Sequence, residues 1–380
     1  MYRLGTSSLH PYTILTGHQD EGFHLLENGN WSLFALLTGD GMEGIIDPTT
    51  DSTMYFTCNQ GHLYKTINHA AFFSHPVTIG GVGVNATANW ITPDIINPLN
   101  HLTLLIGKAQ VYRTYNGATT WTQVGNVTGG ATNVIALAYS PSDTNYIYAA
   151  KTNKLFVATD GNTFVDRTGT LPVASASISS VAVSNTNPSR VWVTFSGYSA
   201  GNKVWYSADA GITWLNYSTG LPNLPANCIA YQNASNDGLY VGMDVGIYFI
   251  DNSSASWQPY FTWLPNVSLQ EMEINFPSGK IRAATNGRGL WESDLAVAEP
   301  KSITWVGGVS TDWNNPLNWS PNAVPASRQD VIIPEVPVSN YYPTINTAGM
   351  ACHDLTINSN AAATVLTGLK FTVKGTLTLY

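Results

Sequence analysis

Short apolar runs alternate with polar, turn-rich stretches along the whole chain, and no window sustains a 3.6-residue rhythm. Seven of these runs align on one register: Phe23–Asn28, Leu63–Asn68, Val111–Asn116, Leu155–Asp160, Val204–Asp209, Ile247–Asn252 and Leu290–Leu295. They start 40, 48, 44, 49, 43 and 43 residues apart. Six of the seven end in Asn or Asp, and each of those six is followed by an aromatic residue: Trp31, Phe73, Trp121, Phe164, Trp214 or Trp257. A period near 45 residues built from short strands predicts a radial β repeat of seven units. Residues 134–164 give the template for a unit. Val134–Tyr139 predicts strand A, Tyr146–Ala150 strand B and Leu155–Ala158 strand C, and strand D starts at Phe164. Pro turns such as Asp47-Pro48, Asn97-Pro98 and Asn187-Pro188 precede strand B, because Pro cannot donate to a ladder. The seventh unit shows strands A to C and no clear strand D.

The most regular turn is Ser207-Ala208-Asp209-Ala210-Gly211-Ile212-Thr213-Trp214. Asp there bonds local backbone N–H groups and Gly accepts positive φ. This Ser-x-Asp-x-Gly-x-Thr-Trp element resembles the Asp-box, or BNR repeat, of sialidase-like and sortilin-like β-propellers. Thr114–Trp121 matches it with Asn116 for Asp, and Thr159–Phe164 is a shortened form carrying Asp160. Thr66–Phe73, with Asn68, and Asn252–Trp257 are degenerate. The resemblance implies an all-β, seven-unit propeller over residues 1–297. It also implies that the box residues, Ser207, Asp209, Gly211, Thr213 and Trp214 among them, are structural and sit on the face away from the ligand.

Residues 298–303 read as a linker. Residues 304–380 predict a further β-rich module, solenoid- or sandwich-like, that breaks off in mid-strand. Its motifs resemble modules repeated in secreted multidomain proteins of Bacteroidetes-type bacteria. The chain is therefore expected to be part of a longer secreted protein, extracellular or on the cell surface, and monomeric within that longer chain.

Composition narrows the function. Charged residues are 11% of the chain, against about 25% in typical domains. The net charge of −8 argues against nucleic acid and anionic membranes as partners. No apolar run approaches the roughly 18 residues of a membrane span. The three cysteines, Cys58, Cys228 and Cys352, are far apart and predict buried thiols rather than disulfides or metal ligands. The eight histidines show no His-x-x-x-His helical pair, so no metal and no cofactor is expected, and nothing supports Ca²⁺ in a propeller loop.

Propeller geometry puts the B–C loops and the D-to-next-A loops on one face, opposite the boxes. That face is the expected ligand site, because rigid strands position variable loops. Its first loops are Gly17–Gly22 and Thr38–Glu43, carrying His18, Gln19, Asp20, Glu21, Asp40 and Met42. Other loops bring Asn59, Gln60, Lys108, Lys151, Tyr198, Asp244, Asn286 and Arg288. A ring of amides, carboxylates and a few cations suits a polysaccharide or an extracellular protein. The expected function is binding or adhesion. The alternative is glycoside hydrolysis, with Asp20 and Asp40 as acid and base. Those two loops resemble the Gln-Asp-x-Gly and Gly-Asp-Gly loops of two-propeller xyloglucanases, in which the acids come from two facing propellers; this chain supplies one. A sialidase is not expected, because six propeller arginines, with Arg113 inside a C strand, do not predict an arginine triad.

Overall fold

The computed structural model describes residues 1–34, 39–68 and 88–380. Phe73, Thr38, His69 and His75 lie outside the described residues. Seven antiparallel sheets of sequential strands form a seven-bladed β-propeller. Blade 1 is Arg3–Thr6, Ile14–His18, Gly22–Glu27 and Asn30–Phe34. Blades 2 to 7 begin at Gly41, Asp94, Ala136, Ser177, Ala226 and Leu269. The first strand of each blade is innermost, and these seven strands meet around a central channel. Blade 7 has three strands, Leu269–Asn275, Lys280–Thr285 and Leu290–Asp294.

Alternation along each strand sends apolar side chains into the gaps between blades. Leu15, Phe23 and Leu25 of blade 1 pack on Ile46, Met54 and Phe56 of blade 2. Equivalent clusters fill the next five interfaces, through to Cys228 and Tyr240 of blade 6 against Met272 and Ile281 of blade 7. The last interface, between blades 7 and 1, is different. Among the described residues it holds no such cluster and is joined by polar groups. Arg3 NH1 donates to Gln270 O at 2.6 Å, and Leu4 N–H donates to Glu271 Oε2 at 2.6 Å. Thr6 Oγ1 donates to Glu273 Oε2 at 2.9 Å, and Asn275 Nδ2 to Ser7 O at 2.8 Å. Among the described residues no strand is exchanged across this seam; blade 1 builds all four of its strands from its own sequence.

The turn at Ser207–Trp214 is closed by its own side chains. Asp209 accepts from Thr213 N at 2.8 Å, Thr213 Oγ1 at 2.7 Å and Ser207 Oγ at 2.8 Å. Gly211, at φ +81°, is in the left-handed region that the turn requires. Trp214 folds under the turn, and its Nε1 donates to Arg167 O of blade 4 at 2.8 Å. Trp257 repeats this one blade later, donating to Tyr217 O at 2.7 Å. Asn116 caps Thr119 and Thr120 N–H in the same way, and Asp160 caps Asn162 and Thr163. Phe164 packs partly buried against the core shared by blades 3 and 4. In blade 2, Thr66 Oγ1 donates to Asn68 Oδ1 at 2.7 Å. In blade 6, Asn252 bonds Asp237 rather than its own turn.

Residues 302–380 stack in parallel. Ser302–Trp305, Asp330–Ile333, Leu355–Ile357 and Leu377–Leu379 pair side by side, which decides for a solenoid-like arrangement over a sandwich. Trp305, Trp313 and Trp319 are fully buried, edge to face at 4.8 and 4.6 Å, and form its core. This module lies across the A–B turns of the propeller. Ala234 packs into its core, Asn185 Nδ2 bonds Asn322 O, and Arg328 reaches Phe276 O at 2.9 Å and pairs with Glu299. All three cysteines are free and buried.

Candidate functional site

Two features share the propeller axis. The first is the face opposite the module, made by the B–C and D–A loops. Three aromatic side chains stand out from it: Trp90 (49% exposed), Tyr198 (69%) and Trp263 (90%). Trp263 has φ +68° in the loop leading into blade 7, a position that turns a large apolar ring out to solvent. Trp90 Nε1 donates to Tyr2 OH at 3.4 Å, and that hydroxyl lies 3.3 Å from Gln19 Oε1 and 3.5 Å from Asp40 Oδ2. On the other side of the mouth, Asp244 Oδ1 accepts from Asn227 Nδ2 and Ser268 Oγ, both at 3.0 Å.

The structure brings Asp20 and Asp40 together, but as capped and cap. Asp40 Oδ1 accepts the Asp20 N–H at 2.7 Å, and Asp40 is buried while Asp20 is exposed at φ +60°. Gly41 is there for close approach: a Cβ on it would sit 2.0 Å from Gly22 O. The Asp40 carboxylate thus fastens the blade 1 hairpin to the start of blade 2. Other loop residues are as expected in part. His18, Asn59 and Asp244 are half-buried, and Gln19, Glu21, Gln60, Asn286 and Arg288 are exposed. Met42, Lys108 and Lys151 are corrections. Met42 is fully buried, because strand A of blade 2 begins at Gly41 and turns that side chain into the core. Lys108 and Lys151 are 4% and 6% exposed, and burial lowers both ammonium pKa values. Burial also pushes the His18 imidazole down to about 4, aided by the nearby terminal amine and His24.

The second feature is the channel, about 480 Å³, lined by the first strands of all seven blades. Its charged lining is Arg3, Glu43, Asp94, Glu271 and Glu273. Arg3 Nε lies 3.3 Å from Glu43 Oε2 and 3.9 Å from Glu271 Oε1. Burial opposes the charge on Arg3, yet Glu271 and Glu43 keep its pKa raised. Burial pushes the carboxyls up: Glu271 to about 7, Asp94 and Glu273 to about 8, and Glu43 well above its usual range. Channel water reaches Glu43 and Glu271, whose side chains are 13% and 20% exposed; Asp94 is only 3% exposed. Thr57 eases the Asp94 charge slightly, but its hydroxyl bonds Glu43 N–H at 3.1 Å, and neither Asp94 oxygen meets a hydrogen-bond partner.

Composition and motif spacing gave no warning of this acidic channel. The available signal was Glu271 and Glu273, two residues apart in an A strand and hence on one face of it. Trp90 and Trp263 were missed as well, because each sits among other apolar residues in its D–A loop, Trp90 beside Ile91 and Trp263 between Phe261 and Leu264, and reads there as core.

Asp94→Asn removes an ionisable group beside Glu271 and Glu43 without changing shape. The carboxyl is neutral in both folded and unfolded chains below its unfolded pKa, and the penalty of ionising it grows as pH rises toward the folded value. The variant is therefore expected to melt higher than the parent at pH 8, by the equivalent of about 1–3 kcal/mol, with no gain at pH 4. Thermal melts at the two pH values check this, and an equal shift at both rejects it.

The module, residues 304–380, matches the family model described as Domain of unknown function (DUF8693). A search of curated proteins found no match. Among solved structures the chain is similar to YCF48 bound to D1 peptide (12% identity, TM-score 0.56), covering 77% of this chain and 92% of that one. It is similar to the extracellular domain of BT4673 from B. thetaiotaomicron at 16% identity and TM-score 0.59, covering 81% and 39%. It is also similar to the GH74 enzyme of Niastella koreensis at 16% identity and TM-score 0.51, covering 81% and 55%. The chain thus spans about two fifths of the BT4673 domain and about half of the GH74 enzyme. At these identities the likeness establishes the β-propeller fold.

Proposed function

We propose that this chain is the ligand-binding propeller of an extracellular protein, and that it holds a polysaccharide across its open face without cleaving it. The observation that carries this is the trio of exposed rings, Trp90, Tyr198 and Trp263, standing over a rim of amides and carboxylates. Sugar rings offer apolar faces to stack on aromatics and hydroxyls for a polar rim. The hydrolase reading is weaker, because Asp40 is committed to a backbone N–H and one propeller supplies half a cleft. The similarity to an extracellular domain supports the location. In this reading the Ser207–Trp214 turn is an Asp-box, the chain is a Bacteroidetes-type module, and residues 298–303 link two domains, 1–297 and 304–380. An extracellular protein partner is a second reading, favoured by the acid-rich channel, which suits a basic segment, and by the peptide-bound neighbour.

Isothermal titration against a panel of soluble polysaccharides tests this. Binding is expected for at least one, weakened about 2–10-fold by each of Trp90→Ala and Trp263→Ala, the worth of one ring contact. Reducing-end release that Asp40→Asn abolishes would establish the hydrolase instead. Binding that ignores both Trp substitutions would reject the face.

A further inference from the structure

The hairpin at the edge of the open face brings together residues that sequence spacing keeps apart. His18 ends strand B of blade 1 and His24 lies in strand C. The antiparallel register pairs Thr16 with His24 and His18 with Gly22, so both imidazoles rise from the same side of the hairpin. Their ring centroids are 4.6 Å apart at 71°. Glu21, in the turn between them, places Oε2 at 3.9 Å from His24 Nε2. One donor atom from each of His18, Glu21 and His24 lies within 4.8 Å of the other two.

Thr16 Oγ1 lies 2.9 Å from His18 Nε2 and 3.3 Å from His24 O, so the hydroxyl can accept from the imidazole while it donates to the carbonyl. In that arrangement His18 offers Nδ1 as its free donor atom, and the hydroxyl orients the ring through its far nitrogen, the task that outer-shell partners perform for metal-ligating imidazoles. His24 Nδ1 is shielded from water and has no partner, while Nε2 turns toward Glu21. The glutamate is 64% exposed and free to move. Donors of a four-coordinate ion with bonds of about 2.0–2.1 Å sit roughly 3.4 Å apart, so three donors that lie within 4.8 Å of one another need draw in by no more than about 1.4 Å to complete the set.

We propose that His18, Glu21 and His24 form an open, three-ligand site for a divalent first-row metal ion, Zn²⁺ foremost, at the mouth of the binding face. Two imidazoles and one carboxylate suit Zn²⁺ and its neighbours rather than Mg²⁺ or Ca²⁺, which take oxygen ligands. A three-ligand set leaves one position of a four-coordinate ion open, where an oxygen donor of an incoming molecule can bind. A search for helical His-x-x-x-His pairs overlooks this site because a hairpin, not a helix, sets the spacing. The proposal stands independently of what the face binds.

The test is titration of the intact chain with Zn²⁺, and with Co²⁺ as a spectroscopic probe, each in competition with a chromogenic chelator. His353→Ala serves as the background, since Asp330, His353 and Asp354 form a second cluster of possible ligands on the module. One ion per chain is expected, with loss of binding in His18→Ala, His24→Ala and Glu21→Gln, and a Co²⁺ spectrum of low coordination number. Thr16→Val keeps all three ligands and removes the acceptor for His18 Nε2–H; it is expected to weaken binding about 10–100-fold. His62→Ala is expected to change nothing. Failure of both metals to bind, or binding that survives His18→Ala and His24→Ala in folded protein, overturns the proposal.

Discussion

Arg3→Met is expected to lower the stability of the propeller by about 3–5 kcal/mol at pH 8 and by much less at pH 5. Arg3 is the positive group shared by three blades. It reaches Gln270 O and Glu271 on blade 7 and Glu43 on blade 2, and it starts the innermost strand of blade 1. Methionine keeps much of its apolar length, so the substitution removes mainly charge and donors. At pH 8, above the value of about 7 for Glu271, that carboxylate is then left without its cation in a channel that water enters only partly. The sign with pH follows from the raised folded pKa values of Glu271 and Glu43: between the ordinary glutamate range, about 4.3, and the value of about 7 for Glu271, the folded chain holds protons that the unfolded chain has released. Stability contributed by these carboxyls is thus greatest at low pH and is lost as pH rises. Near pH 5, below its value of about 7, Glu271 is neutral in the folded state and no longer needs Arg3, so mainly the hydrogen bonds of Arg3 are missed. A melting-point drop of about 4–8 °C at pH 8 and a clearly smaller one at pH 5 are expected by calorimetry. An equal drop at both pH values would mean that Arg3 acts through packing.

Trp214→Ala is expected to cost about 3–5 kcal/mol, the usual range for emptying a large buried ring site. Trp214 fills the interface of blades 4 and 5 beside Val157 and Leu171, and its indole N–H holds Arg167 O. Phenylalanine separates the two contributions. Trp214→Phe keeps most of the volume, loses the bond and orphans a carbonyl, costing about 1–2 kcal/mol. Trp121 occupies the corresponding position of blade 3, equally buried, but its Nε1 has no partner. Trp121→Phe is therefore expected to be neutral or slightly stabilising. Denaturant unfolding of the three single variants checks this, and equal costs for the two Phe substitutions would refute the hydrogen-bond account.

The blades were legible because their information is local. Val204–Asp209 carries a strand, a capped turn and a plug within a dozen residues, Val111–Asn116 and Leu155–Asp160 repeat that plan, and the spacing of all seven runs counts the units. Trp305, Trp313 and Trp319 likewise lie close in sequence and form the core of the module. What was hidden depends on contacts between distant segments. Glu271 meets Arg3 only when the ring closes, and Asp94 becomes a buried carboxylate only when seven strands surround it. Met42 shows the limit of loop bounds, since a strand that starts one or two residues early turns a surface residue into a core one. His18 and His24 escaped because cross-strand neighbours follow register, which the hairpin turn sets and periodicity does not reveal.

The module under the propeller bears on how a long molecule can be held. Pro48, Pro98, Pro141, Ala234 and Phe276, from five A–B turns, share a cavity of about 640 Å³ with module residues such as Pro316, Val324 and Met350. That cavity meets the channel at Thr6, Ser8, Pro48, Ile96 and Ile274, which line both. The axial channel is therefore continued, at the module end, into a wider space that the module helps to bound. A molecule that entered from the open face would pass the acids before it met the module, so the two could contact different parts of one ligand.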